Sequence, residues 1–496
     1  MKRRPVHAFF LAGACWIAWM GAAADALAAP GSIVTVNADH VVVINGRKVF
    51  PIGFSGGPPL NGLTPDGGDA WREIREAGGT FFRTGASNGD WNDQVIADEQ
   101  ARLDAAAARG LFCWINLREL STIAPGDAAR ESRLREVVNR FKNHPGLGFW
   151  KNFDEAAWGG QPADHMVRGY QIIHETDPHH PVVQTHAPRL TVEQLRPYNA
   201  ALDVLNLDIY PIGYPPGNHS LLPNKEISMV GDWTRFLADV AEGQKSCWMT
   251  LQIAWSGVTG PGKTLRFPTF PQERFMAYQA IINGARGLTN GITAKEVSMT
   301  AEDAQLGWNW TFWRKVLRPV VEELADDGPL APALVAADSP RAIQMTGAAD
   351  VEFCVRESGR DLFILACKRE GATVNVQFSG LPAWAGTGEL LYEAPRKVTA
   401  VNGAFTDWFG PFEVHVYRFH NDAAGAFGDF DGDNDVDLED FSHLQTCLLG
   451  WGAVQADPAC LDADLNEDTY VDKSDVTLFI RCLRGPLNPL DPTCVD

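Results

Sequence analysis

Oxygen-bearing side chains recur in two loops near the C-terminus, with Asp429 aligned to Asp464 at an offset of 35 residues. Within each loop they follow the spacing of the oxygen ligands that Ca²⁺ takes in a 12-residue loop. The sequence therefore predicts two calcium sites. The predicted ligands are Asp429, Asp431, Asp433, Asp437 and Asp440 with the Asp435 carbonyl in the first site, and Asp464, Asn466, Asp468, Asp472 and Asp475 with the Tyr470 carbonyl in the second.

The repeat extends beyond the loops, because Cys447 aligns with Cys482 and Gly450 aligns with Gly485. Each loop also leads into an amphipathic helical segment. A solvated acidic tail, which is the simpler alternative, has no reason to repeat its hydrophobic and cysteine positions. The segment resembles a type I dockerin module, the calcium-dependent docking domain best known from secreted polysaccharide-degrading enzymes. That resemblance implies a cohesin-like or cell-surface protein as partner.

The two loops differ at position 6, where a glycine usually allows the sharp turn. Asn434 occupies this position in the first loop and Thr469 in the second. Asparagine accommodates a left-handed backbone better than threonine does. We therefore expect the second site to bind its ion more weakly.

A second group of polar residues follows short apolar segments in the middle of the chain. Eight such segments alternate with helical patterns, and repeated strand–helix units predict a parallel sheet. Eight units favour a (β/α)₈ barrel, and a doubly wound open sheet is the alternative. No Gly-x-Gly-x-x-Gly follows the first strand, so a dinucleotide site has no support. The predicted strands cover residues 50–54, 80–84, 111–117, 148–153, 182–185, 202–209, 247–253 and 287–292.

In a (β/α)₈ barrel the active site lies at the carboxyl ends of the strands. Carboxylates there can transfer protons, and tryptophan faces can stack on sugar rings. The catalytic candidates are Glu155, after the fourth strand, and Asp208, at the end of the sixth. The candidates for substrate binding are Arg83, Asp154, Trp158, His186, Tyr210, Gln252 and Trp255.

The residues around these positions resemble clan A glycoside hydrolases. A His-Pro at residues 144–145 leads through an apolar strand to Asp154-Glu155, and Asp208-Ile-Tyr-Pro resembles a common sixth-strand ending. The resemblance covers residues 32–420. It implies that Glu155 is the acid/base, that Arg83 is the site arginine, and that a glycan is the substrate.

The seventh strand departs from that family. The resemblance places a nucleophilic glutamate there, but this chain has Gln252, whose amide cannot form a glycosyl ester. Three possibilities stay open. Another carboxylate is the nucleophile, with Asp208 preferred to Glu296; or the enzyme inverts, with a second carboxylate activating water; or the barrel binds carbohydrate without cleaving it.

The remaining segments predict the domain organisation of a secreted protein. Residues 1–28 are predicted to be a signal peptide, because basic residues precede an apolar run and a small-residue cleavage site follows it. The barrel is predicted over residues 32–330, a small antiparallel β-sandwich over 335–420, a linker over 421–427 and the calcium module over 428–496. No later segment is apolar and long enough to span a membrane.

Charge and cysteines agree with that organisation. Residues 421–496 contain 17 Asp and Glu against 3 Lys and Arg, a difference of −14 within the chain's −20. The acidity therefore belongs mostly to the calcium module, and it argues against a nucleic-acid partner. Four cysteines lie in the repeat. Their spacing favours the local disulfides Cys447–Cys460 and Cys482–Cys494, whereas Cys113 and Cys247 lie in apolar strands and are expected to be free.

Overall fold

The computed structural model describes residues 31–87, 89–213, 220–253, 266–291, 300–421, 427–431, 435–450, 452–466, 468–486, 488 and 494. The predicted signal peptide and most of the predicted linker lie outside the described residues. So do Asp433, Asn434, Trp255 and Glu296.

Eight parallel strands close into a barrel, which confirms the (β/α)₈ prediction over the open sheet. Nearly every residue of these strands is buried, because the barrel interior covers one face and the helices cover the other. The observed ends lie within two residues of the predicted ones. The strands are β4 (Ile52–Phe54), β5 (Phe81–Gly85), β6 (Phe112–Asn116), β7 (Leu147–Lys151), β8 (Val182–His186), β9 (Val204–Ile209), β10 (Ser246–Gln252) and β11 (Leu288–Gly291).

Side chains cap the first turn of several barrel helices, including the first three. Asn92 accepts a hydrogen bond from the Val95 amide, so the second helix begins at Asp93. A π-helical turn at Trp313–Leu317 separates the helical residues 310–312 from 318–323. The helices are α1 (Ala70–Glu76), α2 (Asp93–Ala107), α3 (Ala128–Phe141), α4 (Ala163–Thr176), α5 (Val192–Leu195), α6 (Met229–Ala241), α7 (Phe270–Ile282), α8 (Ala301–Leu306), α9 (Trp310–Phe312), α10 (Arg318–Glu323) and α11 (Ala331–Val335).

A small antiparallel sheet that the sequence did not predict precedes the barrel. It consists of β1 (Val34–Val36), β2 (Val42–Ile44) and β3 (Arg47–Val49). Ile44 and the valines 34, 42 and 49 share one buried cluster with Phe81, Trp114 and Trp248, which belong to barrel strands. The sheet therefore closes the amino-terminal end of the barrel and leaves the carboxyl end for the site.

Two antiparallel sheets follow and form the predicted β-sandwich. A five-stranded sheet packs against α7 of the barrel, and a three-stranded sheet covers its other face. The strand β18 was not predicted. The strands are β12 (Gln344–Thr346), β13 (Val351–Ser358), β14 (Asp361–Lys368), β15 (Val374–Ser379), β16 (Thr387–Leu390), β17 (Lys397–Thr399), β18 (Ala404–Phe409) and β19 (Val414–His420).

The C-terminal segment contains two helices, α12 (Leu438–Cys447) and α13 (Lys473–Cys482). The predicted disulfides Cys447–Cys460 and Cys482–Cys494 are both present, and Cys113 and Cys247 are free and buried. A compact cluster that includes Leu444 and Phe479 joins the helices. Among the described residues, no helix is both long and apolar enough to cross a bilayer.

Candidate active site

Two carboxyl groups meet at the carboxyl end of the barrel. Asp208 lies near the end of β9, and Glu155 follows β7 by four residues. The Glu155 amide donates to the Thr185 carbonyl on β8 at 3.0 Å, and the Glu155 backbone is left-handed, with φ of 50°. The two side chains are within hydrogen-bonding reach of each other. The structure thus brings together the two residues that the sequence proposed as the catalytic pair.

The surroundings of this pair favour the protonated forms. Burial and the nearby Asp154 carboxylate raise the pKa of Glu155, against a smaller opposing effect of its hydrogen bond with Asp208. Burial and the charge of Glu155 raise the pKa of Asp208 well above its usual range. The Tyr210 hydroxyl donates to Asp208 and partly offsets that rise. Charge repulsion between neighbouring carboxylates opposes their ionisation, and this is one cause of the raised pKa of Asp208.

A buried lysine supplies the positive charge at the centre of the site. The Lys151 side chain is fully buried; its Nζ lies 2.7 Å from Asp154 Oδ1 and donates to Thr185 Oγ1 at 2.7 Å. Burial opposes the ionisation of Asp154, but Lys151 and Arg83 outweigh it and lower the pKa of Asp154 to about 2. Lys151 was not among the site residues predicted from the sequence. A lysine ending the apolar strand Leu-Gly-Phe-Trp-Lys was the available signal.

Arg83 and His186 occupy different positions around this lysine. Arg83 is partly exposed; its Nη1 lies 3.7 Å from Asp154 Oδ2, and its Nε donates to the Ser55 carbonyl at 3.1 Å. The His186 ring is fully buried, and neither ring nitrogen has a hydrogen-bond partner among the described residues. Burial and the charge of Lys151 lower the pKa of His186 to about 3, which keeps the imidazole neutral.

Gln252 is fully buried and positions the loop after β9. Its Oε1 accepts the Ile212 amide at 2.7 Å, and its Nε2 donates to the Ile212 carbonyl at 2.9 Å. The oxygen and the nitrogen of the Gln252 side chain thus both bind the backbone of Ile212, which lies in the same loop as Tyr210. Direct contact of Gln252 or His186 with a substrate stays a prediction, since neither side chain reaches solvent here.

The rim of the site carries an exposed tryptophan. Trp158 is 57% exposed and lies on the turn that begins at Glu155, where the Gly159 amide donates to the Glu155 carbonyl. The guanidinium carbon of Arg189, in the loop after β8, lies 5.8 Å from the Trp158 ring centroid. An exposed indole beside the carboxyl pair offers an apolar face to a ligand.

The first C-terminal loop gathers carboxylates at metal-binding distance. Asp429, Asp431 and Asp440 place one oxygen each within 4.8 Å of one another, and Asp435, Asp437 and Asp440 do the same. The side chain of Asp435 belongs to this group, whereas the sequence assigned only its carbonyl. An all-oxygen set is what Ca²⁺ requires, so these residues fit a calcium ion.

The two loops repeat the same hydrogen bonds at the offset of 35 residues. Asp440 accepts the amides of Phe430 (2.6 Å), Asp431 (3.2 Å) and Asp437 (2.8 Å). Asp475 accepts the equivalent amides of Leu465 (2.7 Å), Asn466 (3.2 Å) and Asp472 (2.8 Å). The two loops are therefore equivalent down to individual hydrogen bonds.

The second loop has its own arrangement around the sharp turn. Thr469 has φ of 73°, the left-handed conformation expected at position 6, and Asp464 accepts the amides of Asp468 and Thr469. Asn466 and Asp468 lie on the same loop, Tyr470 donates its amide to Asp468, and Asp472 caps α13. A β-branched residue is strained in this conformation.

Comparison with known proteins identifies the fold. No family model and no curated protein matches the chain. A family 5 glycoside hydrolase from Bacteroides vulgatus matches with a TM-score of 0.56 at 14% identity, over 79% of this chain and 94% of that one. A GH27 β-L-arabinopyranosidase from Geobacillus stearothermophilus gives 0.49 at 11%, over 77% and 98%. A GH30 endoxylanase from Clostridium papyrosolvens gives 0.44 at 11%, over 75% and 97%. The chain therefore has a fold that glycoside hydrolases also have, an eight-stranded parallel barrel accompanied by antiparallel sheets.

Proposed function

We propose that this protein is a secreted glycoside hydrolase acting on a poly- or oligosaccharide, with Glu155 as the general acid/base. The observation that carries the proposal is the contact between Glu155 and Asp208 at the carboxyl end of a glycoside-hydrolase-like barrel. A raised pKa suits Glu155 to the role, because a general acid must hold its proton at the working pH. In the first step Glu155 would protonate the glycosidic oxygen as the bond to the sugar breaks.

We assign the second carboxylate to Asp208. Retaining enzymes hold the two carboxyls about 5–5.5 Å apart and inverting enzymes about 6.5–9.5 Å apart. A bound sugar between the two side chains would have to hold them at one of these separations. Either mechanism needs the proton on Glu155 and an ionised Asp208, because Asp208 would act as a nucleophile or as a base for water.

Rim and wall residues would hold the sugar against this pair. Trp158 would offer a stacking face, and Arg83 and Tyr210 would bind sugar hydroxyl groups. Their interactions with Asp154 and Asp208 support these roles. Trp255 is proposed for the same role from the sequence. His186 and Gln252 would support the site without touching the sugar. His186 would form part of its buried wall, and Gln252 would hold the loop at Ile212.

The C-terminal segment would serve as a calcium-dependent docking module. The residues of the first loop that fit an ion are Asp429, Asp431, Asp435, Asp437 and Asp440. In the second loop the ligands would be Asp464, Asn466, Asp468, Asp472 and Asp475 with the Tyr470 carbonyl. Bound Ca²⁺ would supply charge neutralisation and fold stability. The partner would be a cohesin-like or cell-surface protein. The predicted signal peptide and the two disulfides support an extracellular location.

The Glu155→Gln variant tests the catalytic proposal. It keeps the shape of the side chain and removes the proton donor, so activity on a responsive glycan should fall by about 10²–10⁴. The exposed Glu136→Gln on α3 is the matched control and should retain full activity. Undiminished hydrolysis by Glu155→Gln, on the substrate found by screening a glycan panel, contradicts the assignment.

A second candidate function is a barrel that binds carbohydrate without cleaving it. The buried Gln252 favours it, because the seventh strand carries a structural amide where the resembling family has its nucleophile. Oligosaccharide binding by titration, with no release of reducing ends over several days, would support this candidate over hydrolysis.

A further inference from the structure

The outer sheet of the β-sandwich presents a solvent-facing surface without a charged side chain. This sheet has the order β12-β15-β18, and the five-stranded sheet separates it from α7 of the barrel. Alternate residues of its strands point inward, where Val376, Phe378 and Phe405 join the sandwich core. The exposed positions are Gln344, Thr346, Asn375, Gln377, Thr406 and Trp408.

Strand register places these side chains next to one another. Thr346 is opposite Gln377, Gln377 is opposite Thr406, and Asn375 is opposite Trp408. Two neighbouring rows therefore combine amide and hydroxyl groups with one indole. The charged residue between Thr406 and Trp408 is Asp407, which turns inward and accepts hydrogen bonds from Arg396 and Tyr417.

The polar groups of this face are available to a ligand. The side chains of Gln344, Thr346, Gln377 and Thr406 make no hydrogen bond to any residue that the structure describes. Asn375 uses one amide hydrogen, donated to the Asp407 carbonyl at 3.3 Å. The face thus offers donors and acceptors that are neutral and directed to solvent.

Trp408 is unusual among the tryptophans of this chain. Nine of the twelve described tryptophans are buried, and Trp384 is half-buried. The two exposed ones are Trp158, at the candidate active site, and Trp408, which is 61% exposed. An indole combines a large apolar face with one N–H donor, and this suits a sugar ring, which has apolar C–H faces and polar edges.

We propose that this outer face is a second binding site, for a neutral polysaccharide chain, separate from the barrel. The neutral polar side chains of this face can bind the hydroxyl groups of an uncharged polysaccharide. The face has no charged side chain that could pair with a charged polymer. A protein partner fits less well. Two strands of six residues and one of three, about 4.8 Å apart, cover only about 200–300 Å², against about 800 Å² per partner in a standard interface. Trp408 stacks on a ring, and Gln377 and Thr406 bind hydroxyls beside it.

Affinity electrophoresis of the full-length protein in gels containing β-glucan, xyloglucan or galactomannan tests the proposal, with polygalacturonate as the acidic arm. Trp158→Ala is the matched control, because it removes an equally exposed indole from the barrel site. We expect retardation by at least one neutral polysaccharide to persist in Trp158→Ala. In Trp408→Ala the affinity for that polysaccharide should fall about tenfold or more.

Two milder substitutions on the same face test the proposal even if Trp408→Ala disturbs folding. Gln377→Ala and Thr406→Ala should each weaken binding about two- to tenfold, as expected for one hydrogen bond, with an unchanged melting temperature. The proposal is overturned by any of four results: no retardation of the wild type, retardation by polygalacturonate alone, loss only in Trp158→Ala, or a change in oligomeric state of Trp408→Ala by sedimentation.

Discussion

The barrel site and the C-terminal loops both crowd carboxylates together, but they neutralise them differently. In the barrel, Asp154 pairs with Lys151 and Arg83, and Glu155 and Asp208 share a hydrogen bond. In the loops, Asp440 and Asp475 accept backbone amides, and residues 421–496 contain 3 basic residues against 17 acidic ones. The charge of Asp154 is therefore balanced within the folded chain, whereas the carboxylates of the loops would need an external cation.

Calcium removal should give the largest contrast between the two regions. Without the ion the loop carboxylates repel, and two ten-residue helices have too little core to hold them. Chelation should unfold α12 and α13 and leave the melting of the barrel almost unchanged. One site at a hundredfold excess of ion over Kd contributes about 2.7 kcal/mol of stability.

The measurement is hydrogen exchange of the full-length protein with and without chelator, in oxidised and reduced samples. The reduced sample is needed because the two disulfides restrain the unfolded module. Helices α12 and α13 that stay protected after reduction and chelation would contradict the calcium dependence.

Replacement of Lys151, the buried cationic side chain of the barrel site, should lower the free energy of unfolding of the barrel. Lys151→Met leaves Asp154 without its closest positive charge, and we expect a loss of roughly 2–3 kcal/mol in the free energy of unfolding. This is below the usual cost of about 3–5 kcal/mol for a broken buried pair because Asp154 is partly exposed. Chemical denaturation measures it. Lys315→Met, on the exposed side of the π-helical turn, is the control, and equal stability of the two variants would argue against internal neutralisation.

The pH dependence of activity should respond to the same charges with a defined sign. As the proposed general acid, Glu155 would act when protonated, so activity should fall as pH rises through the pKa of Glu155. Because the Asp154 charge raises that pKa, Asp154→Asn should move the alkaline limb of kcat/KM to lower pH. Lys151 lowers the pKa of Glu155, so Lys151→Met should move the limb to higher pH. Shifts of the two variants in the same direction would contradict this electrostatic arrangement.

The smallest effect concerns the difference between the two loops. Thr469→Gly relieves a β-branched residue from left-handed backbone, which should improve ion binding at the second site by about fivefold, or about 1 kcal/mol. Calorimetric titration of the metal-free protein measures it. Thr469→Asn should give part of the gain and Thr469→Ala little of it. Equal affinity of all four proteins would show that the turn does not limit the site.

Local pattern was sufficient for most of the architecture. Buried strands appear as apolar runs because both of their faces are covered, and the eight barrel strands were predicted for this reason. The calcium loops and the disulfides Cys447–Cys460 and Cys482–Cys494 follow from a repeat in which ligands and cysteines are close along the chain. The β1–β3 sheet was missed because its strands are three residues long, too short for a pattern.

The sequence by itself determined which residues stand at strand ends, because chain direction in a parallel barrel puts every carboxyl end at one edge. Only the tertiary structure decided what these residues do to one another. Two of these interactions, Glu155 with Asp208 and Gln252 with Ile212, join segments that are 40 or more residues apart. The third, between the buried Lys151 and Asp154, depends on the direction of a side chain at the end of a strand. These distances and burial set the pKa values and the charge balance of the site, and no local spacing along the chain encodes them.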